Sequence, residues 1–168
     1  MGYVSLNLGR IPLWYFAIAG TILFGFFLKT RKISFSLLIT YMFLVFVATF
    51  LARKSSLTVQ YEFSPFASYR RALISKDMWW SVVCNIMMSV PIGFLSPIAM
   101  YKDIRNVKKL LITLLVGIIF SVCIEVLQFV FQRGYSETDD IISSVIGLII
   151  GFNFFILTEM IISWVRKK

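Results

Sequence analysis

The stretch LLITLLVGIIFSVCIEVLQFVF, residues 110–131, decides the fold class, because it is long and apolar enough to cross a bilayer as one helix. Other apolar runs of similar length occur along the chain, and short clusters of Lys and Arg separate them. We predict transmembrane helices at 11–28, 33–52, 79–100, 110–131 and 141–165. The sequence therefore predicts an all-α integral membrane bundle of about five helices, formed by a single domain over residues 1–168.

Composition supports this membrane setting. Hydrophobic residues make up 59% of the chain and aromatic residues 17%, well above the content of a soluble domain. The net charge of +9 would suggest nucleic acid in a soluble protein. Here, however, the basic residues lie between apolar runs, where they encode membrane topology. We therefore expect no nucleic-acid partner.

The absence of histidine limits the possible chemistry. Histidine is the usual general base and the commonest transition-metal ligand, so zincin-type and His-triad mechanisms are excluded. Cys84 and Cys123 both lie within apolar runs, and we interpret them as small buried hydrophobic residues rather than a disulfide or metal ligands.

The distribution of basic residues predicts the orientation. The loops at 29–32 and 101–109, together with the C-terminus, hold more Lys and Arg than the opposite side. Basic residues in short loops stay in the cytoplasm. We therefore expect the N-terminus outside and the C-terminus in the cytoplasm, so that the loops at 53–78 and 132–140 face outward.

Polar residues inside the predicted helices recur at helical spacing. Ser121, Glu125, Gln128 and Gln132 share one side of the fourth predicted helix. At about 1.5 Å per residue, Asn85 on the third helix lies level with Glu125, each roughly 9 Å below the outer helix end. A carboxylate facing lipid there costs at least about 2 to 3 kcal/mol. We therefore expect Glu125 to face protein, water or a partner charge.

The sequence leaves two readings open for these residues. Glu125 either carries a proton or stays ionised beside an arginine from the loops, namely Arg70, Arg71 or Arg133. Asn85 and Gln128 either bind a ligand or only bridge helices through hydrogen bonds.

The start of the fifth predicted helix carries two acids and a small-residue face. Asp139 and Asp140 occupy the position where Asp caps free N–H groups of a helix, and one of them could have that role alone. Ser144, Gly147 and Gly151 follow Asp140 at helical spacing, which favours close packing against another helix.

Four ordered motifs carry a resemblance to the VanZ-like membrane proteins: SPFASYRRAL (64–73), NIMMSVPIGFLSPI (85–98), IEVLQFVFQR (124–133) and ETDDIISSVIGLIIG (137–151). The resemblance covers about the C-terminal two-thirds of the chain, and four motifs in order are specific where one would be weak. The positions that match the family pattern are Pro65, Phe66, Arg70 or Arg71, Asn85, Pro91, Gly93, Glu125, Gln128, Asp140, Gly147 and Gly151. Ser144 departs from the pattern, since the family usually has Asn there.

The resemblance implies a bacterial plasma-membrane protein with a role in resistance to teicoplanin-like lipoglycopeptides. Our leading hypothesis is that it binds a lipid-anchored molecule in a polar pocket at the outer leaflet and lowers the access of the antibiotic to its target. The partner would be a membrane lipid or a lipid-linked cell-wall precursor, with the lipoglycopeptide itself as a further candidate. The predicted ligand-binding residues are Arg70, Arg71, Asn85, Gln128, Arg133 and Asp139.

The alternative is an intramembrane enzyme that modifies lipid-linked cell-wall or membrane-lipid substrates. Glu125 and Asp140 would then act as acid and base, because two carboxylates in different environments suffice for such chemistry. We predict no cofactor and no metal site in the leading reading, although the acids could hold a hard cation such as Mg²⁺ or Ca²⁺.

Overall fold

A computed structural model of the protein describes residues 31–51, 61–133 and 136–167. Within these ranges the chain forms five α-helices: α1 (Arg31–Phe46), α2 (Ala67–Ala72), α3 (Lys76–Ala99), α4 (Asn106–Phe131) and α5 (Thr138–Arg166). A single π-helical segment, Val47–Leu51, continues α1. Two short strands, β1 (Tyr61–Glu62) and β2 (Ser136–Glu137), complete the described elements. The predicted helix at 11–28 lies outside the described residues.

Four of the helices are long and apolar enough to span a membrane: α1 with its π-helical continuation, α3, α4 and α5. They coincide to within a few residues with the predicted runs at 33–52, 79–100, 110–131 and 141–165. The observed helices begin earlier because polar residues such as Lys76, Asn106 and Thr138 form the first helical turn ahead of the apolar run. The prediction of an all-α membrane bundle is confirmed.

Helix α3 lies at the centre of the bundle and is the most deeply buried of the four spans. It continues through Pro91 and Pro97, both of which are buried. The hydrophobic core is formed by side chains of α1, α3 and α5: Leu38, Tyr41, Ile92, Phe94, Leu95, Leu148, Phe152 and Phe155.

Helices α3 and α5 approach each other closely enough for their backbones to touch. A Cβ atom on Gly147 would overlap the carbonyl oxygen of Ile86, and a Cβ on Gly151 would overlap that of Val90. Because glycine alone lacks this atom, the small-residue face of α5 is a packing surface, as its spacing indicated.

One end of the bundle carries β1, α2 and β2, and we call it the loop end. The two strands pair in parallel, with Tyr61 opposite Ser136 and Glu62 opposite Glu137. The sequence predicted only loops here, because two-residue strands and a six-residue helix leave no periodic pattern. The pairing joins two segments that are far apart along the chain.

Candidate functional site

A small, partly open cavity lies between α1, α3, α4 and α5, and we call it the polar cavity. Its volume is about 50 Å³, enough for a few water molecules. Its polar lining residues are Thr49, Asn85, Ser89, Ser121, Glu125, Gln128, Asp140 and Ser144. Four predicted site residues from three helices therefore meet at one place: Asn85, Glu125, Gln128 and Asp140.

Glu125 faces the protein interior, as the depth of its position predicted. It is only 8% exposed, and its Oε2 accepts a hydrogen bond from the backbone N–H of Glu137 at 2.9 Å. The Ser136 hydroxyl donates to the Glu125 carbonyl oxygen at 3.4 Å. Glu125 thus connects the C-terminal part of α4 to the residues that lead into α5.

Asn85 and Asp140 join α3 to α5 across the cavity. The amide Nδ2 of Asn85 donates to Oδ1 of Asp140 at 2.5 Å. Nearby, the hydroxyls of Ser121 and Ser144 lie 3.1 Å apart, so Ser144 makes a short contact with α4 at the position where the family pattern has Asn. Asn85 therefore bridges two helices, as one of the two readings of the sequence expected, and it also lines the cavity.

One hydrogen-bond acceptor of the buried Gln128 side chain has no partner among the described residues. Its side chain is 2% exposed, and Nε2 donates to the carbonyl oxygen of Thr49 at 3.0 Å. A carbonyl oxygen can only accept, which fixes the orientation of the amide. Its Oε1 has no hydrogen-bond partner within the described ranges. A buried acceptor of this kind costs about 1 to 3 kcal/mol, so the cavity favours a donor.

The Thr49 carbonyl belongs to the π-helical segment of α1. A π-helical turn shifts the register of backbone hydrogen bonds, and such turns occur frequently at functional sites. The cavity wall on this side is therefore irregular backbone rather than a regular helical surface.

Asp139 has a different role from its neighbour Asp140. It is 2% exposed, and its two oxygens accept hydrogen bonds from the backbone N–H groups of Phe66 and Ser68, each at 2.6 Å. Phe66 has a left-handed backbone conformation with φ of 62°. Asp139 thus caps the start of α2 instead of its own helix, where the N-cap residue Glu137 makes no side-chain cap. Of the two acids considered as possible caps of α5, Asp139 instead accepts from the backbone of α2.

Among the described residues, none of the three arginines lines the polar cavity. Arg71 forms an ion pair with Glu137 at 3.3 Å and donates to the Ser68 hydroxyl at 2.9 Å. Arg133 donates to the Leu51 carbonyl oxygen at 3.5 Å. In the part of the chain that the structure describes, neither these two nor the exposed Arg70 lines the cavity.

Sequence reasoning missed a second layer of polar contacts around the loop end. The Ser68 hydroxyl also bonds to Oε2 of Glu137, and the Tyr69 hydroxyl lies 2.8 Å from the Ser143 hydroxyl. Partial burial raises the pKa of Tyr69, so its hydroxyl stays protonated at neutral pH. The acid-rich run ETDD was the available signal, yet only Asp139 and Asp140 were singled out in it.

Over residues 31–51, 61–133 and 136–167, no three acidic, His or Cys side chains come together as a candidate metal site. What the arrangement can do is present several hydrogen-bond acceptors to a small space between the helices.

These features define a multi-pass membrane protein with a polar cavity among its helices. The family model for VanZ/LLP1 matches residues 35–161, and the chain belongs to this VanZ-like family. The match includes all four motifs on which the resemblance was based, so that prediction is confirmed. The family is linked to antibiotic resistance. Comparisons with curated proteins and with solved structures gave no match.

Proposed function

We propose that this protein is a resistance factor of the bacterial plasma membrane that binds a lipid-anchored molecule at the outer leaflet. Binding would lower the access of teicoplanin-like lipoglycopeptides to their target. The observation that supports the proposal is that Glu125, Gln128 and Asp140 line one cavity, where Oε1 of Gln128 has no hydrogen-bond partner among the described residues.

The chemistry of the wall indicates which part of a ligand would enter. Glu125, Asp140 and Oε1 of Gln128 are acceptors, whereas the Asn85 amide already donates to Asp140. A hydroxyl or ammonium group complements this wall, because each can donate several hydrogen bonds. A phosphate would place a second anion beside the carboxylates, which like-charge repulsion disfavours. A sugar or amino headgroup is therefore the expected partner of the cavity.

The size of the cavity limits how much of that ligand it can hold. About 50 Å³ accommodates a single polar substituent or the waters that connect it to the wall, and not a whole headgroup. The rest of a lipid-anchored ligand would remain outside, between the helices and the membrane.

Teicoplanin binding to intact cells tests this function. We expect cells that express the protein to bind less fluorescent teicoplanin and to tolerate a higher concentration of it than cells without the gene. Glu125→Gln removes a charged acceptor, and because such a bond is worth about 1.5 to 3 kcal/mol, ligand affinity should fall about tenfold or more. Glu159→Gln changes an exposed glutamate elsewhere on α5 and should leave both measurements unchanged.

Unchanged teicoplanin binding together with unchanged susceptibility would contradict the proposal. The catalytic alternative has one observation in its favour, namely that Glu125 and Asp140 line the same cavity. It predicts that mass spectrometry of membrane lipids and wall precursors will find a modified species, which disappears in both Glu125→Gln and Asp140→Asn. Identical lipid and precursor profiles with and without the gene would argue against catalysis.

A further inference from the structure

A second recess lies at the loop end, between α2 and α3, and we call it the lateral groove. Its volume is about 390 Å³, within the roughly 300 to 1,000 Å³ that is usual for small-molecule sites. Among the described residues, it shares no lining residue with the polar cavity. Its floor on α3 consists of Trp79, Val82, Val83 and Ile86, which recur at helical spacing on one face.

The groove is apolar apart from one cation. Arg70 on α2 is its charged lining residue, and Leu73 lies beside it. Leu73 is 87% exposed and the adjacent Ile74 is 93% exposed. Exposing two adjacent large apolar side chains to water is unfavourable, so we place them in contact with lipid. Trp79 is 49% exposed at the start of a spanning helix, where tryptophan marks the boundary between lipid and water. The groove therefore opens at the headgroup level of the membrane.

The two adjacent arginines of α2 differ in what they contact. Arg71 is held by Glu137 and Ser68 in the polar network of the loop end. Arg70 is exposed, and its guanidinium makes no hydrogen bond or ion pair with the residues that the structure describes, although its charge adds to the hydrogen bonds from Ser64 in lowering the pKa of Glu62. A guanidinium left in this way can bind the oxygens of a phosphate in bidentate fashion.

We propose that the lateral groove binds an anionic phospholipid of the leaflet at the loop end. One acyl chain would lie along Val82, Val83 and Ile86, and the lipid phosphate would meet Arg70. Charge complementarity selects this occupant, because the apolar wall accepts any acyl chain while the single cation at the rim favours a net negative headgroup. The site is independent of the polar cavity, so it stands whether or not the cavity binds a ligand.

Tryptophan quenching measures occupation of the groove directly, because Trp79 forms part of its wall. A variant that carries Trp14→Phe, Trp80→Phe and Trp164→Phe leaves Trp79 as the single tryptophan, which can be excited selectively over tyrosine. The protein is placed in phosphatidylcholine nanodiscs with a small fraction of brominated phosphatidylglycerol, or with the same fraction of brominated phosphatidylcholine of equal chain length. From the dependence of quenching on lipid fraction, we expect brominated phosphatidylglycerol to bind beside Trp79 about tenfold more tightly than brominated phosphatidylcholine. This corresponds to a difference of about 1.4 kcal/mol in binding free energy.

Three substitutions in this background separate the groove from general surface effects. Arg70→Gln should abolish the preference for phosphatidylglycerol while quenching by phosphatidylcholine persists. Val83→Phe should reduce quenching by both lipids, because it fills the groove. Arg133→Gln removes another cation of the loop end, away from the groove, and should keep the full preference. Equal quenching by the two lipids in the parent, a preference that survives Arg70→Gln, or one that is lost in Arg133→Gln would overturn the proposal.

Discussion

Glu125, in the last third of a spanning helix, accepts a hydrogen bond from the backbone N–H of Glu137, the residue that directly precedes α5. The carboxylate that we propose as a ligand-binding group therefore contributes to holding two helices together. Its structural and functional contributions can be separated, because a neutral amide can keep the first without the charge needed for the second.

Two substitutions at position 125 make that separation. Glu125→Gln retains an acceptor for the Glu137 N–H, so the variant should accumulate at normal levels and lose resistance. Glu125→Leu leaves that buried N–H without its acceptor and should lower stability by about 1 to 3 kcal/mol. Thermal unfolding in detergent and teicoplanin susceptibility measure the two effects. If cells with Glu125→Gln keep full resistance at normal protein levels, the charge of Glu125 has no part in function and the residue only bridges two helices.

Asp139 is expected to control the order of α2. In Asp139→Asn one carboxylate oxygen becomes an NH₂ group that cannot accept from the N–H groups of Phe66 or Ser68. Losing one such bond should cost about 1 to 3 kcal/mol. Hydrogen exchange over residues 66–72 should accelerate, whereas exchange in the centre of α3 should not. The exposed Asp77→Asn is the matched control, and equal exchange in the two variants would contradict the capping role.

The close contact between α3 and α5 predicts that replacing glycine by alanine lowers stability much more at this contact than elsewhere in the bundle. Gly151→Ala places a Cβ against the backbone of Val90, which cannot shift without moving the helix, so we expect a loss of about 1 to 3 kcal/mol. Gly117→Ala meets only the end of the Leu148 side chain, which can change rotamer, and should cost less. Denaturant unfolding of the two variants in the same detergent makes the comparison. A larger effect at Gly117 would mean that the helices can separate at little cost.

A substitution at Gln128 distinguishes the proposed role in ligand binding from a role in the packing of the helices. Gln128→Leu removes the unpaired Oε1 but also the donor to Thr49, and these opposing effects should leave stability within about 1 to 2 kcal/mol of the parent. Resistance should nevertheless be lost, because the acceptor offered to the ligand is gone. Retained resistance in this variant would show that the leftover acceptor has no part in function.

The orientation is testable from the surface of intact cells. With Cys84 and Cys123 replaced, an impermeant thiol reagent should label Ser64→Cys at the loop end and should not label Lys102→Cys at the opposite end. The reason is the larger number of basic residues beside Lys102, which stay in the cytoplasm. The reverse labelling pattern would place the polar cavity near the inner leaflet.

Helical spacing and depth were enough to predict that Asn85, Glu125 and Gln128 lie near one another, and the family resemblance added Asp140; all four line one cavity. The same reasoning could not assign the arginines. Arg71 is engaged by Glu137 and Arg133 by Leu51, across separations of 66 and 82 residues that no local pattern encodes. Short elements stabilised by such distant contacts, α2 above all, are for this reason not visible in the sequence.

The capping of α2 by Asp139 also has a consequence for biogenesis. Phe66 and Ser68 leave the ribosome 73 and 71 residues ahead of the carboxylate that accepts from their amides. The left-handed turn at Phe66 is unfavourable for a bulky residue, and its stabilising partner arrives only with the final helix. We therefore expect α2 to remain without its cap during translation. The hydrogen bonds from Phe66 and Ser68 to Asp139 can form only after α5 has been synthesised and inserted.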